Sequence, residues 1–478
     1  MPRKKLTVCI ISITLLCSAF SVNSSAGQDI NVLMNGTPVA FDVPPQNIGG
    51  RVMVPFRAIG ESIGALVDWN ADTQSVWMYS GGQYIGLTIG ETTVRIGKMG
   101  GPEISIDLDV APQIVGGRTL VPVRAVAEGL KADVKWDAPS NTVIITTSQT
   151  VSPTVDSKEK LLAFIDGNIS DLNTKFYVNT VNLSPDTIGL NVCDYFLNVL
   201  QAHTTSWKYT ADGTNYTYIE YDITYSMYSY VSRAIKTGST TTLTPAEKQV
   251  YDKVELIVAE NVNPDMTDYE KELALHDYLV LNTAYDPSPP DELPWDSHTP
   301  YGALINGVAV CNGYSDSFKL LMDAVGIECD IVYGEAAVNG VSQAHAWNRV
   351  MIDGDYYLVD VTWDDAFPDK PDVVTYDYFN VTDDMIRADH TPYTDEHECT
   401  ADRYNYFVYN KLCVYDQSDI DNIIKSSLAS GARHIYMRGV RFDISRMSFQ
   451  AFAAYLQSNP NIEYSVNPRM NVIRIFLE

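Results

Sequence analysis

Residues 343–365, QAHAWNRVMIDGDYYLVDVTWDD, read as one β-hairpin. Asp353-Gly354 is a two-residue turn signal between two alternating runs, since both central positions of such a turn take positive φ. With those residues as the loop, Ile352 pairs with Asp355, Trp347 lies opposite Asp360, and His345 lies opposite Thr362. Side chains share a face every second residue, so His345 and Asp360 become diagonal neighbours about 7–8 Å apart. A carboxylate at that separation can hold an imidazole N–H and set its tautomer. A slip of one residue would send the two side chains to opposite faces.

Upstream, residues 299–329 read TPYGALINGVAVCNGYSDSFKLLMDAVGIEC. Phe318, Leu321, Met322 and Val325 follow helical spacing after Cys311, and Gly326 supplies a stop. Cys311 therefore opens a buried helix, near the positive end of its dipole, where a thiol loses its proton more readily. Its own backbone N–H is a candidate oxyanion donor, because helix N-termini present free donors; the second donor is left open. Cys311, His345 and Asp360 are the candidate nucleophile, base and orienting acid. Trp347, facing Asp360 in this register, is a candidate shield for them.

The rest of the chain frames this site. A length of 478 residues calls for roughly two to four domains. A net charge of −27 and a pI near 4.5 repel phosphate backbones, so no nucleic-acid partner is expected. Arg3, Lys4 and Lys5 followed by apolar Leu6–Phe20, with Ser24 and Ala26 at cleavage positions, predict an export signal over 1–26. No other stretch is apolar enough for a membrane span, so a secreted protein is expected, released or held at a cell wall by its own domains. Cys193, Cys311, Cys329, Cys399 and Cys413 remain after cleavage. So sparse a set points to a free thiol rather than a disulfide framework. Cys399 and Cys413 are a candidate pair; Cys193 and Cys329 read as buried apolar cysteines.

Residues 49–79 align without gaps to 116–146, both starting Gly-Gly-Arg and both carrying Val-Pro-x-Arg-Ala and a later Trp, at 69 and 136. Each unit reads as hairpin, helix and strand, and two such units would form one α+β domain over 30–147. A polar linker is expected at 148–157 and a mainly helical lead-in at 158–259, with a strand-like stretch at 207–225. A catalytic core is expected at 260–390. A small α+β module at 400–478 would have strands in YFVYNKLCVY, HIYMRGVRF and NVIRIFLE and helices at 418–431 and 447–458. The expected fold class is α+β multidomain. His276, on an apolar helical stripe, reads as a packed core histidine. Asp364, Asp365, Asp369 and Asp372 read as a solvated acidic loop, since no twelve-residue calcium loop is present. No P-loop, HExxH or dinucleotide fingerprint occurs, so no cofactor and no metal is expected.

G-x-x-x-C-x-G-Y-x-x-x-F at 307–318, H-A-W-N at 345–348 and Y-x-x-V-D-x-T-W-D at 356–364 resemble the transglutaminase-like superfamily of papain-like thiol enzymes. The resemblance implies a papain-like α+β core with a helical half and an antiparallel sheet. It also implies a Cys311 thiolate that attacks a peptide or carboxamide carbonyl, giving a thioester that water or an amine resolves. Peptidase or amidase and transamidase both remain open, as does a non-catalytic module binding peptide or glycan at the cell surface. The expected partner is a peptide or protein substrate, including cell-wall peptide; oligomeric state is left open. The repeat at 30–147 resembles the copper amine oxidase N-terminal-like (stalk) domain. Copper does not follow, because the first histidine of the chain is His203.

Overall fold

Small sheets and short helices alternate along the chain in an α+β multidomain architecture. The computed structural model describes residues 29–477 except 148–152, 197, 212, 339, 367–369, 371, 394–396 and 445–461. The export-signal stretch 1–26, Asp369 and the expected helix at 447–458 lie outside the described residues. Two compact units result. One holds residues up to Asn168 with Lys175–Leu190 and His203–Asp222; the other holds Ile169–Thr174, Asn191–Ala202 and Ile223 onward. This division runs differently from a single boundary at 148–157.

In the first unit each Gly-Gly-Arg segment forms a hairpin, a helix and a strand. β1 (Gln46–Ile48) and β2 (Arg51–Pro55) lead to α1 (Phe56–Ser62) and β3 (Leu66–Asn70). β4 (Gln113–Val115) and β5 (Arg118–Pro122) lead to α2 (Val123–Gly129) and β6 (Asp133–Asp137). The hairpins join as one sheet, β4-β5-β2-β1, in which Val54 pairs with Val121, its own repeat counterpart. A pseudo-two-fold axis therefore runs between β2 and β5. Val54, Phe56, Ile59, Val121 and Val126 pack into one core. The lead-in departs from its expected helical character: β7 (Lys175–Val181), β8 (Val199–Ala211) and β9 (Thr214–Tyr225) form a sheet. Alternating aromatic and β-branched residues favour a half-buried pleated surface. Phe176 stacks on Tyr221 across it at 5.0 Å.

In the second unit α3 (Asp268–Asn282) starts on a Thr267–Glu270 capping box. α4 (Cys311–Val325) ends at Gly326, which takes φ 74°. β10 (Cys329–Val338), β11 (Val341–Ile352), β12 (Asp355–Val359) and β13 (His390–Pro392) form a sheet of order β12-β11-β10-β13. Asp353 (φ 52°) and Gly354 (φ 89°) make the tight turn, and the ladder runs from Ile352–Asp355 to Asn348–Val359 in the expected register. It stops there. Asp360 leaves the strand and caps α5 (Val361–Asp364), so Trp347 and His345 do not pair with Asp360 and Thr362 as a continued ladder would require. Tyr314, Phe318, Leu321 and Met322 of α4 share one core with Val350 and Tyr357 of the sheet.

At the C-terminus, YFVY forms a helical turn at Tyr406–Tyr409 rather than a strand. α6 (Gln417–Ala429), β14 (His434–Gly439), β15 (Ile462–Asn467) and β16 (Val472–Leu477) follow. Ile420, Ile424, Ile435 and Ile475 make a small core of their own, while Tyr436 and Val472 join the larger one. All five cysteines beyond residue 26 are free, Cys399 and Cys413 included; Cys193 is half-buried, not buried. Among the described residues no helix is long and apolar enough to cross a membrane.

One glycine sets how closely β13 approaches. A Cβ on Gly334 of β10 would lie 2.3 Å from the Thr391 carbonyl and 2.6 Å from the Trp347 ring. We predict that Gly334→Ala lowers unfolding free energy by about 1–3 kcal/mol, the range for overpacked cores. Urea titration should show a lower midpoint at unchanged slope.

Candidate functional site

Cys311 occupies the first turn of α4, and Val310 before it offers no side-chain cap, leaving the helix's first N–H groups without that partner. The helix is sunk deeply: Gly313 to Met322 are all buried. Gly313 makes this close seating feasible, since a Cβ there would lie 2.7 Å from the Ser297 carbonyl and 3.0 Å from that of Thr299. Asn348 of β11 donates from Nδ2 to the Ser315 carbonyl at 3.0 Å, tying the sheet to the helix that Cys311 opens.

His345 lies on β11, three residues before that tie, with its Nε2 2.7 Å from Asp360 Oδ2. Cys311 lies near enough to act on the ring, while its own Sγ faces Asn312 Oδ1 at 3.7 Å. Ionised Asp360 only accepts, so His345 holds its Nε2 proton toward Asp360, leaving Nδ1 as the nitrogen that can serve the thiol. Asp360 is fully buried, and its Oδ1 accepts the Trp363 N–H at 3.1 Å. Burial opposes charge on His345, but the Asp360 carboxylate, helped by its hydrogen bond and by Cys311, outweighs it and pushes the imidazole up to about 10. Burial likewise opposes the Asp360 charge, yet the two histidines facing it hold its carboxyl well below the usual range. The ring of buried Trp347 stacks 6.0 Å from His345, and that of Trp363 lies 5.7 Å away. Thus Cys311, His345 and Asp360 come together, with Trp347 against the imidazole.

The second histidine on Asp360 was not legible in the sequence. His390, at the start of β13, places Nε2 2.9 Å from Asp360 Oδ2 and Nδ1 2.6 Å from Asp389 Oδ1. Burial disfavours its charge, but hydrogen bonds to both carboxylates raise its pKa. With both nitrogens facing carboxylates, it sits as an imidazolium between them. Asp389 in turn accepts from the Tyr378 hydroxyl at 2.7 Å and faces Arg469 at 3.6 Å. Arg469 lies in the β15–β16 turn and also donates to the Ala337 carbonyl. His345, Asp360 and His390 bring one ligand atom each within 4.8 Å, the spacing of a metal-capable group. Their 2.7 and 2.9 Å contacts are those of hydrogen bonds. Neighbouring ligands on a tetrahedral Zn²⁺ stand about 3.3 Å apart.

Two expectations change. Asp364 and Asp365 are buried, not solvated. The α5 turn draws them inward, where Asp364 accepts the Tyr378 N–H at 2.9 Å and Asp365 the Tyr314 hydroxyl at 2.5 Å. Asp372 is exposed. His276 is a fully buried histidine, as expected of a core position, but its Nε2 reaches Asp364 Oδ2 at 3.2 Å and its Nδ1 reaches Asp277 at 3.1 Å.

This geometry has a known setting. Residues 257–361 match the transglutaminase-like superfamily, and residues 33–145 match the copper amine oxidase N-terminal domain. Copper does not suit the latter stretch, which contains neither histidine nor cysteine. Among curated proteins, a protease inhibitor of Brevibacillus choshinensis is 30% identical over 128 residues, 26% of this chain and 36% of that protein. The human Kyphoscoliosis peptidase is 26% identical over 121 residues, 24% of this chain and 18% of the peptidase. The chain thus spans well under half the length of either relative. The crystal structure of a TGase overlaps with 14% identity and a TM-score of 0.21, covering 52% of this chain and 71% of that one, too slight an overlap to carry an argument.

Because His390 has its pKa raised by folding, its contribution to stability is fully present below the ordinary histidine value of about 6.5 and is lost as pH rises through its folded value. Removing it leaves two buried carboxylates short of a partner. We predict that His390→Leu costs about 3–5 kcal/mol at pH 6, the range for breaking a buried ion pair. The cost should shrink toward pH 10, as urea unfolding at both pH values would show.

Proposed function

We propose that this chain is an exported thiol acyl-transfer enzyme that forms a thioester at Cys311 on a peptide or carboxamide carbonyl. The observation that carries the reading is His345, whose Nε2 lies 2.7 Å from Asp360 Oδ2 while Cys311 acts on the same ring. The raised His345 pKa favours an imidazolium, the partner of a Cys311 thiolate, and that sulfur attacks the carbonyl carbon. The oxyanion develops at the N-terminus of α4, where the Cys311 N–H is a donor. His345 returns the proton to the departing amine as the carbon–nitrogen bond breaks. Water or a second amine, deprotonated by His345, then attacks the thioester and restores the thiol. Asp360 stays ionised throughout and keeps the imidazole in the required tautomer. Trp347 and Trp363 flank the imidazole and limit its contact with water.

The match of residues 257–361 to the transglutaminase-like superfamily supports this class of chemistry, and the resemblance to a peptidase supports a peptide substrate. Hydrolysis is the favoured outcome, because water needs no binding site; an amine acceptor needs one. Export rests on the signal-like residues 1–26, and the substrate is a peptide or protein, cell-wall peptide included.

Cys311→Ala and His345→Ala should each lower turnover of a susceptible peptide by about 10⁴-fold or more, and Asp360→Asn by less, since the three act as a unit. A glutamine-containing peptide panel with a labelled primary amine separates the acceptors. Free carboxylate without label means hydrolysis; label in the peptide means transamidation. A folded protein that turns over nothing in the panel yet binds those peptides would replace the enzyme reading with a binding module.

A further inference from the structure

The N-terminal repeat carries a feature that its packing does not require. Most positions of 49–79 and 116–146 differ, yet among the large side chains reaching solvent Arg51/Arg118, Arg57/Arg124 and Trp69/Trp136 are identical, and Glu61 has Glu128 as its counterpart. Trp69 is 36% exposed and Trp136 48% exposed. Tryptophan left in water on a strand forfeits the burial that ordinarily stabilises it. Here it does so at the same place twice.

These residues converge in space. A cleft of about 560 Å³ is lined by Arg57, Glu61 and Trp69 of the first repeat together with Ile114 and Arg118 of the second. That volume lies in the range of small-molecule sites, about 300–1,000 Å³. Arg118 holds Asp42 through Nε at 2.6 Å, and Arg57 faces Glu61 at 3.6 Å. The pseudo-two-fold axis through the Val54–Val121 pair repeats the arrangement. Arg51, the counterpart of Arg118, grips Asp109, the counterpart of Asp42, across the same sheet.

The charges of the first cleft cancel, two arginines against Asp42 and Glu61. Neither an anion nor a cation is favoured there. What the cleft offers is an exposed indole face beside planar guanidinium and carboxylate groups already held in place. A pyranose ring presents the complement: an apolar C–H face for the indole, and a rim of hydroxyls that donate to carboxylates and accept from arginine. We propose that the N-terminal domain binds an uncharged glycan at two symmetry-related clefts, one centred on Trp69 and one on Trp136. Two clefts in one domain would engage one polysaccharide at two points, so that each binding event raises the effective concentration for the other.

Titration calorimetry of the full chain with chitohexaose and cellohexaose, and with a heparin hexasaccharide as the charged control, tests this. The expected result is two sites per chain for at least one uncharged probe. Trp69→Ala and Trp136→Ala should each remove one site, and the double variant should weaken binding by about tenfold or more. Trp69→Phe, which keeps an aromatic face, should retain part of the affinity. The thermal midpoint and the rate of Cys311 alkylation should be unchanged in every variant, which separates loss of this site from loss of fold or of the thiol site. The proposal is overturned if the folded chain binds neither uncharged probe, if only the heparin fragment binds, or if the double variant binds as the parent does.

Discussion

A single buried oxygen organises the second unit. Asp360 Oδ2 accepts from His345 at 2.7 Å and from His390 at 2.9 Å, while Oδ1 accepts the Trp363 N–H. Removing a carboxylate from water costs several kcal/mol, offset only when its lone pairs are met and opposite charge is near. Three donors meet that demand, and each comes from a different place: β11, the start of β13, and the first turn of α5. The position of Asp360 thus decides where the hairpin ends, where α5 begins and how β13 crosses β10. The imidazole held toward Cys311 is a consequence of the same arrangement.

The charge chain continues outward. His390 passes from Asp360 to Asp389, and Asp389 faces Arg469 in the turn between β15 and β16. The C-terminal module therefore contributes a cation to the surroundings of His345 while sharing part of its core with the region around Cys311 and His345 through Tyr436 and Val472. Close approaches make the network compact. Gly313 admits the 297–299 carbonyls beside α4, and Gly334 admits β13 against Trp347. Neither position has room for a methyl group, so glycine there is a packing demand and not a matter of backbone torsion.

The first unit is organised by a different constraint, the pairing of Val54 with Val121 that makes the two repeats halves of one sheet. From it follow the crossed Arg118–Asp42 and Arg51–Asp109 pairs. Exposed ion pairs of this kind contribute little to stability. The Arg118–Asp42 pair sets planar polar groups in the cleft that Trp69 lines.

Local chemistry was enough to read the hairpin register as far as Asn348–Val359, because a two-residue turn at positive φ and a period of two leave one alignment. Cys311 at a helix start and the repeat at 49–79 and 116–146 were legible for the same reason: each is a pattern within a few turns of chain. The sheet character of 175–225 was partly missed, since a helical reading of a mixed polar and aromatic stretch is overturned only by pairing partners far along the chain. The inward turn of Asp364 and Asp365 depended on α5, which exists because Asp360 caps it. His390 and Arg469, 45 and 124 residues beyond His345, carry no spacing signal at all. Their approach to Asp360 is set by where β13 and the β15–β16 turn pack, and only the tertiary structure decides that, because a buried carboxylate selects its partners by distance in space and not along the chain.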